Sequence, residues 1–267
     1  MKTRENLNTI TKKIRKSIIT MAYESGQGHI GSALCLVEIL TILLFKIMRL
    51  RDDDPNWKDR DRIILSKGHG ASGLYAALAA RGLIAQKLLN GYCKDGGTFH
   101  LHPCRHTHLS IETSTGSLGH GLSVGAGLAL ALKMRENVAR VFVVIGDGEC
   151  NEGSIWEAAA FIIQHKLTNT IIVVDHNKFQ GFGKTKEILD LDLVTIWQAF
   201  GFEVLRCDGH DLLALQNIFD KKMSNKPRVV IAETIAGKGA PFFEDSLDAH
   251  YSKLTKDQYD ELSRSFS

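Results

Sequence analysis

The sequence predicts a doubly wound α/β fold, a mostly parallel sheet with helices on both faces. Three observations carry this expectation. Short apolar runs at 62–66, 141–145, 170–175, 203–207 and 229–234 are bounded by turn residues. They are apolar throughout rather than alternating, as strands buried on both sides are. Helical patterns at 72–81, 118–135, 154–165, 193–200 and 212–223 separate or precede them, and that alternation belongs to a parallel sheet covered by helices.

The elements follow in order. Residues 9–24 predict an amphipathic helix, because Ile10, Ile14, Ile18 and Met21 share one face and Gly26 supplies a stop. Ser32 is expected to cap a second helix over 33–48. The polar run RDDDPNWKDRD at 51–61 contains Pro55 and predicts a loop. The helix at 118–135 is rich in Gly and Ala. Its glycines lower helix propensity, but small residues permit close approach, either to the sheet or to a neighbouring protomer. After Pro241 the chain turns polar, which predicts loop and a short helix. With no internal repeat or low-complexity segment, residues 1–267 are read as one domain, with N-terminal helices over 9–48 and a polar tail after about 241.

Composition narrows the function classes. At 44% hydrophobic and 24% charged residues, the chain is an ordinary globular protein rather than a disordered one. The formal charge of +3 gives no sign of a nucleic-acid or membrane surface. Five cysteines, an odd number with no C-x-x-C, argue against a disulfide framework and for a reducing cytoplasm. The most apolar stretch, 33–44, contains Glu38 and is read as too short to span a bilayer. The N-terminus lacks the apolar centre of a secretory signal.

Ligands of doubly wound sheets bind beyond the carboxyl ends of the strands. The residues there are Ser66-Lys67-Gly68-His69-Gly70, Gly146-Asp147-Gly148-Glu149-Cys150-Asn151-Glu152-Gly153, Asp175-His176-Asn177-Lys178-Phe179 and Ala236-Gly237-Lys238-Gly239. Asp147 and Asn177 are 30 residues apart, about one βαβ unit. A right-handed crossover brings both to the same sheet edge. A carboxylate and an amide oxygen suit Mg²⁺ or Ca²⁺, with open positions for phosphate oxygens. Gly148 lets the backbone approach those oxygens near a helix start. The same spacing also fits a tight turn in which Asp147 caps the next helix.

Other motifs compete. Gly26-Gln27-Gly28-His29-Ile30-Gly31 matches G-x-G-x-x-G, with Asp52–Asp54 downstream, but a helix precedes it. Gly146-x-Gly148 follows a strand and Asp175 ends the next, a better dinucleotide pattern, yet Asn151 stands where its third glycine belongs. Lys238 lies between glycines without the rest of a P-loop. His100, His102, Cys104, His106 and His108 alternate too tightly for one tetrahedral zinc shell, so a substrate-facing or surface loop is the preferred reading. His165, His176 and His210 are by default solvated or satisfied side chains.

G-D-G-E-C-N-E-G followed by D-H-N-K resembles the thiamine diphosphate motif. Gly28-His29-Ile30-Gly31, Ser66-Lys67-Gly68-His69-Gly70, His102-Pro103, Ser114-Thr115-Gly116-Ser117-Leu118-Gly119 and Gly237-Lys238-Gly239 with His250 beyond resemble transketolase, in order and over nearly the whole chain. The resemblance is to the N-terminal part of that family only. It implies the N-terminal, diphosphate-binding subunit of a split transketolase.

The resemblance implies roles residue by residue. Asp147 and Asn177, with the Phe179 carbonyl, would hold Mg²⁺ or Ca²⁺ on the diphosphate of thiamine diphosphate. The Gly148 N–H would contact the diphosphate, and His69 and His250 would approach the same end. Gly116, Ser117 and Leu118 would line the aminopyrimidine and thiazolium. His29 and His102 would face the sugar and, with His250, are the candidate catalytic histidines. Glu152 resembles the interface glutamate that touches the partner's catalytic glutamate. Two departures stand out: Cys104-Arg105-His106-Thr107-His108, where the family more often has an acidic residue, and His120, where many relatives have Gln.

The implied reaction moves a two-carbon ketol unit from a ketose phosphate to an aldose acceptor. The implied partner is a separate polypeptide with a pyrimidine-binding and a C-terminal domain, in an α₂β₂ assembly, without which the chain is inactive. The alternatives are a specialised two-carbon transferase, a deoxyxylulose-phosphate-synthase-like enzyme or a 2-oxoacid dehydrogenase component. Outside this chemistry, they are an NAD- or nucleotide-binding module and a purely structural subunit.

Overall fold

A computed structural model describes residues 6–51 and 54–266; Asp52 and Asp53 of the polar run lie outside the described residues. The strands are β1 (Arg62–Leu65), β2 (Val141–Gly146), β3 (Thr170–His176), β4 (Phe179–Gln180), β5 (Gly183–Lys184), β6 (Glu203–Asp208) and β7 (Arg228–Glu233). Five of them form one sheet in the order β1-β2-β3-β7-β6, every pair parallel, as the apolar runs predict. The two-residue β4 and β5 make a small antiparallel hairpin that no hydrophobic pattern announces.

The helices are α1 (Leu7–Ser25), α2 (Ile30–Leu34), α3 (Val37–Ile42), α4 (Ala71–Arg81), α5 (His120–Met134), α6 (Gly153–Gln164), α7 (Thr185–Ile188), α8 (Leu193–Phe200), α9 (Leu212–Asp220), α10 (Asp248–Tyr251) and α11 (Lys256–Ser265). Helices α1 to α4, α9 and α11 cover one sheet face, against Phe142, Val144, Ile171, Val173 and Val230. Helices α5, α6 and α8 cover the other, against Val143, Ile145, Ile172, Val174 and Val229. Neighbouring residues of one strand therefore enter opposite cores, which is why the runs are apolar throughout.

Helix α1 ends at Gly26, left-handed at φ 63°, and buries Ile10, Ile14, Ile18 and Met21. The second helix departs from expectation. It begins at Ile30 rather than after Ser32, and it breaks at Cys35–Leu36 before α3 and a π-helical turn, Leu43–Ile47. Tertiary contact overrides the local capping signal. The His29 N–H donates to the His250 carbonyl at 2.9 Å, and a Cβ on Gly31 would lie 2.5 Å from the Ala249 Cβ. The apolar stretch is also longer than read: Ile30–Ile47, 18 residues of mean hydropathy 2.2, is long and apolar enough to cross a membrane, but 83% of it is buried inside this fold.

The C-terminal segment is loop and short helix, α10 and α11, as its polar sequence predicts, but it also packs into the fold. Phe243, Ala249, Leu254, Leu262 and Phe266 are buried in the first core, and Tyr259 stacks on Tyr23 at 4.4 Å. Its polar residues face outward, so composition conceals an amphipathic element. In α5, a Cβ on Gly121 would lie 2.4 Å from Ser66 Oγ and one on Gly125 2.5 Å from Val143 Cγ2. The buried small residues thus serve packing on the sheet, while Val124 and Met134 remain exposed on the outer face.

A buried ion pair ties α1 to α3. Arg15 lies 2.7 Å from Glu38, whose other oxygen is 3.0 Å from His210 Nδ1. Burial works to raise the Glu38 carboxyl, but the His210 hydrogen bond and the Arg15 guanidinium outweigh it and hold it below the usual range. Glu38→Gln strands Arg15 and is expected to cost about 3 kcal/mol, seen as a lower urea midpoint. A carboxyl depressed on folding stabilises above its unfolded value, about 4.3, and loses that contribution as pH falls through the folded value. The gap between wild type and variant should therefore close in acid.

Candidate functional site

Strands β2 and β3 end level with each other, Gly146 opposite Asp175, and the Asp147 N–H donates to the Asp175 carbonyl at 3.2 Å. Asp147 and Asn177 consequently open at the same sheet edge and line one cavity of about 250 Å³. It also takes in His69, Leu118, Gly148, Glu152, Phe179 and His250, all singled out in the sequence.

Asp147 is 1% exposed. Its Oδ2 accepts from the Lys178 N–H and Thr185 Oγ1, both at 2.9 Å, whereas Oδ1 is buried with no partner. It makes no side-chain capping bond to the turn that follows, so the capping alternative is not what the structure shows. Burial first, then the Asp175 charge, pushes its carboxyl up to about 6. An unsatisfied buried carboxylate oxygen is costly, and a divalent cation is the kind of group that satisfies it. Buried polar atoms without partners also include His29 Nδ1, Asn151 Oδ1 and Gln180 Nε2, in or beside the same cavity. Gly148 is required by its neighbour as well, since a Cβ there would lie 2.7 Å from the Gln180 Cβ.

Three histidines converge at one end. The His29 and His250 rings are 4.7 Å apart, His69 and His250 5.4 Å, and His29 and His69 5.6 Å. Burial and the Lys67 charge hold His69 far below its usual value. Burial and His29 pull His250 down to about 4, and burial with His102 lowers His29. All are neutral near pH 7, each able to donate and to accept. His29 sits in the left-handed region at φ 64°, held there by the α10 segment.

The remaining predicted residues sit around this core. His102 packs on Gly116, where a Cβ would lie 3.2 Å from its ring; neither lines the cavity. The Gly116 backbone packs under Gly68. Ser117 is exposed and also lies off the cavity wall. Among the described residues no group of three or more His, Cys, Asp or Glu side chains could hold a metal, so the His100–His108 tract assembles no zinc shell. His176 pairs with Glu233 at 2.9 Å.

Several structural residues escape sequence reasoning. Asp175 is fully buried and accepts from Lys67 Nζ, Thr234 Oγ1, Cys35 Sγ at 3.0 Å and Asn177 Nδ2 at 3.0 Å. It is buried out of reach of a ribose hydroxyl, which counts against the dinucleotide reading. Glu149, 2% exposed, accepts from Ser66 Oγ, the Gly119 N–H at 2.7 Å and the Gly146 N–H at 3.2 Å. It ties together three loops around the cavity. Both lie in the quoted motifs, but only the fold reveals that they point inward.

A protein-family model described as "Transketolase, thiamine diphosphate binding domain" matches residues 7–267. The chain is 39% identical over 249 residues to the 6-deoxy-6-sulfo-D-fructose transketolase subunit SqwG of Clostridium sp. strain MSTE9, covering 92% of this chain and 90% of that one. It is 41% identical over 250 residues to an apulose-4-phosphate transketolase subunit of Actinobacillus succinogenes, covering 92% and 91%. Among solved structures, the transketolase of Campylobacter jejuni superposes with a TM-score of 0.90 at 28% identity, covering 97% of this chain but 42% of that one.

Asp147 should be a stability liability in the cofactor-free chain. A carboxyl raised on folding favours the folded state at low pH and loses that contribution as pH rises through about 6. Asp147→Asn keeps an acceptor oxygen and removes the buried charge. Its unfolding free energy should exceed that of wild type by a margin that widens from acid to pH 7.5, up to about 2–3 kcal/mol, seen as a higher Tm in differential scanning calorimetry across that range.

Proposed function

The chain belongs to the transketolase thiamine diphosphate-binding domain family and is a transketolase-type transferase subunit; from that premise we propose that it is the N-terminal subunit of a split transketolase. The observation that carries this is Asp147 and Asn177 opening beside each other on one cavity, with an orphaned carboxylate oxygen and a cluster of neutral histidines on its wall. The relatives named as subunits are of similar length, whereas the chain spans about 42% of a full-length transketolase.

Asp147 and Asn177 side chains, with the Phe179 carbonyl, would hold Mg²⁺ or Ca²⁺, and the Gly148 N–H would bind the diphosphate beside it. The donor set is all oxygen, which suits a hard cation. The bound cofactor would supply the electron sink for cleaving the C2–C3 bond of a ketose. The chain's own part is to orient and to handle protons. His69 and His250 would hold the diphosphate end. His29, His102 and His250 would hydrogen-bond the sugar hydroxyls and move a proton as the C–C bond breaks. Gly116, Ser117 and Leu118 would support the cofactor rings. Exposed Glu152, at the start of α6, would meet the partner polypeptide.

The partner is a polypeptide carrying the pyrimidine-binding and C-terminal domains, in an α₂β₂ assembly in the cytoplasm. Ketose and aldose acceptor give a ketose longer by two carbons and an aldose shorter by two. The donor is a ketose phosphate or a ketose with another anionic tail. Relatives named for a sulfonated fructose and for apulose 4-phosphate favour a specialised acceptor or donor as the second reading.

With thiamine diphosphate, Mg²⁺ and the partner polypeptide, the chain should transfer a ketol unit from a ketose phosphate to an aldose, read by coupled assay or mass spectrometry. The chain alone should show none, and robust turnover by it alone contradicts the split-enzyme reading. His29→Ala should lower kcat/KM by on the order of 10²-fold, with cofactor affinity little changed by calorimetry.

A further inference from the structure

A side-chain amide has an acceptor end and a donor end, and only the acceptor end can face a cation. Both ends of Asn177 are fixed. The Phe179 N–H donates to Oδ1 at 2.9 Å, and Nδ2 donates to Asp175 Oδ2 at 3.0 Å. A backbone N–H can only donate. A carboxylate paired with a lysine ammonium is ionised and can only accept. A flipped amide would set nitrogen against N–H and oxygen against carboxylate, so neither bond survives the flip.

Asp175 is itself held from several elements. Lys67, which follows β1, and Thr234, which follows β7, donate to its two oxygens. Cys35, at the end of α2, donates at 3.0 Å. Asp175 is 0% exposed and does not line the cavity. It reaches a ligand there through its neighbours on the cavity wall, Lys67, Asp147 and Asn177, and Asn177 is the one whose orientation it fixes.

We propose that Asp175 is a positioning residue of the cation–diphosphate site: it locks the Asn177 carboxamide so that oxygen, not nitrogen, faces the cavity beside Phe179. Lys67 and Thr234 hold the two oxygens of Asp175 in place for that task. The inference rests on the thiamine diphosphate reading above. Without the carboxylate only the Phe179 N–H still favours the competent orientation, the flipped amide gains population, and apparent cation affinity falls with the competent fraction.

The test titrates Mn²⁺, read by electron paramagnetic resonance, in the presence of thiamine diphosphate on the assembled enzyme. Asp175→Asn should weaken Mn²⁺ binding about tenfold or more. Because that variant leaves Lys67 buried and unpaired, Lys67→Met/Asp175→Asn removes both charges together; it should fold with a Tm near wild type and show the same weakening. Asp175→Asn/Asn177→Asp should recover most of the affinity, since a carboxylate has no wrong face. Undiminished Mn²⁺ affinity in the first two variants, or no recovery in the exchanged pair, overturns the positioning role. Failure of the wild-type assembly to take up Mn²⁺ with thiamine diphosphate overturns the functional reading beneath it, a distinct result.

Discussion

The site depends on the register between two neighbouring parallel strands. With Gly146 opposite Asp175, the loops after β2 and β3 leave the sheet at the same height. Asp147 and Asn177 then open on the same cavity. A slip of one residue would turn every side chain of the strand to the opposite face. Because alternate residues of each strand pack into two different cores, that slip would disrupt the side-chain fit on both faces. Packing energy far from the cavity is therefore what fixes its geometry.

Around that register the protein holds groups in states they would not choose in water. Asp147 keeps a carboxylate oxygen buried without a donor. The histidines crowd one another and stay neutral. Such arrangements cost stability and persist where a ligand completes them. Beneath them, Asp175 and Glu149 are fully satisfied by donors from several loops. The layer that meets a ligand is incomplete, and the layer that supports it is closed.

Much of this was legible in the sequence, for physical reasons. The five sheet strands show because burial on both faces leaves only apolar residues. Asp147 and Asn177 could be paired because crossover handedness turns a spacing of one βαβ unit into proximity. The entry of α2 was not legible, because contacts of His29 and Gly31 with the distant 249–250 segment decide it. That segment reads as polar, yet its few apolar residues bury, and through it His250 reaches the cavity. Asp175, Lys67 and Glu149 carry no pattern that tells an inward carboxylate or ammonium from an outward one.

The most direct measurement is anomalous scattering from Mn²⁺ in crystals grown with thiamine diphosphate. One strong peak is expected within about 2.0–2.3 Å of both Asp147 Oδ1 and Asn177 Oδ1, with diphosphate oxygens completing the shell. A bound cofactor whose metal lies away from these two oxygens, or a diphosphate held with no metal beside Asp147, would contradict it.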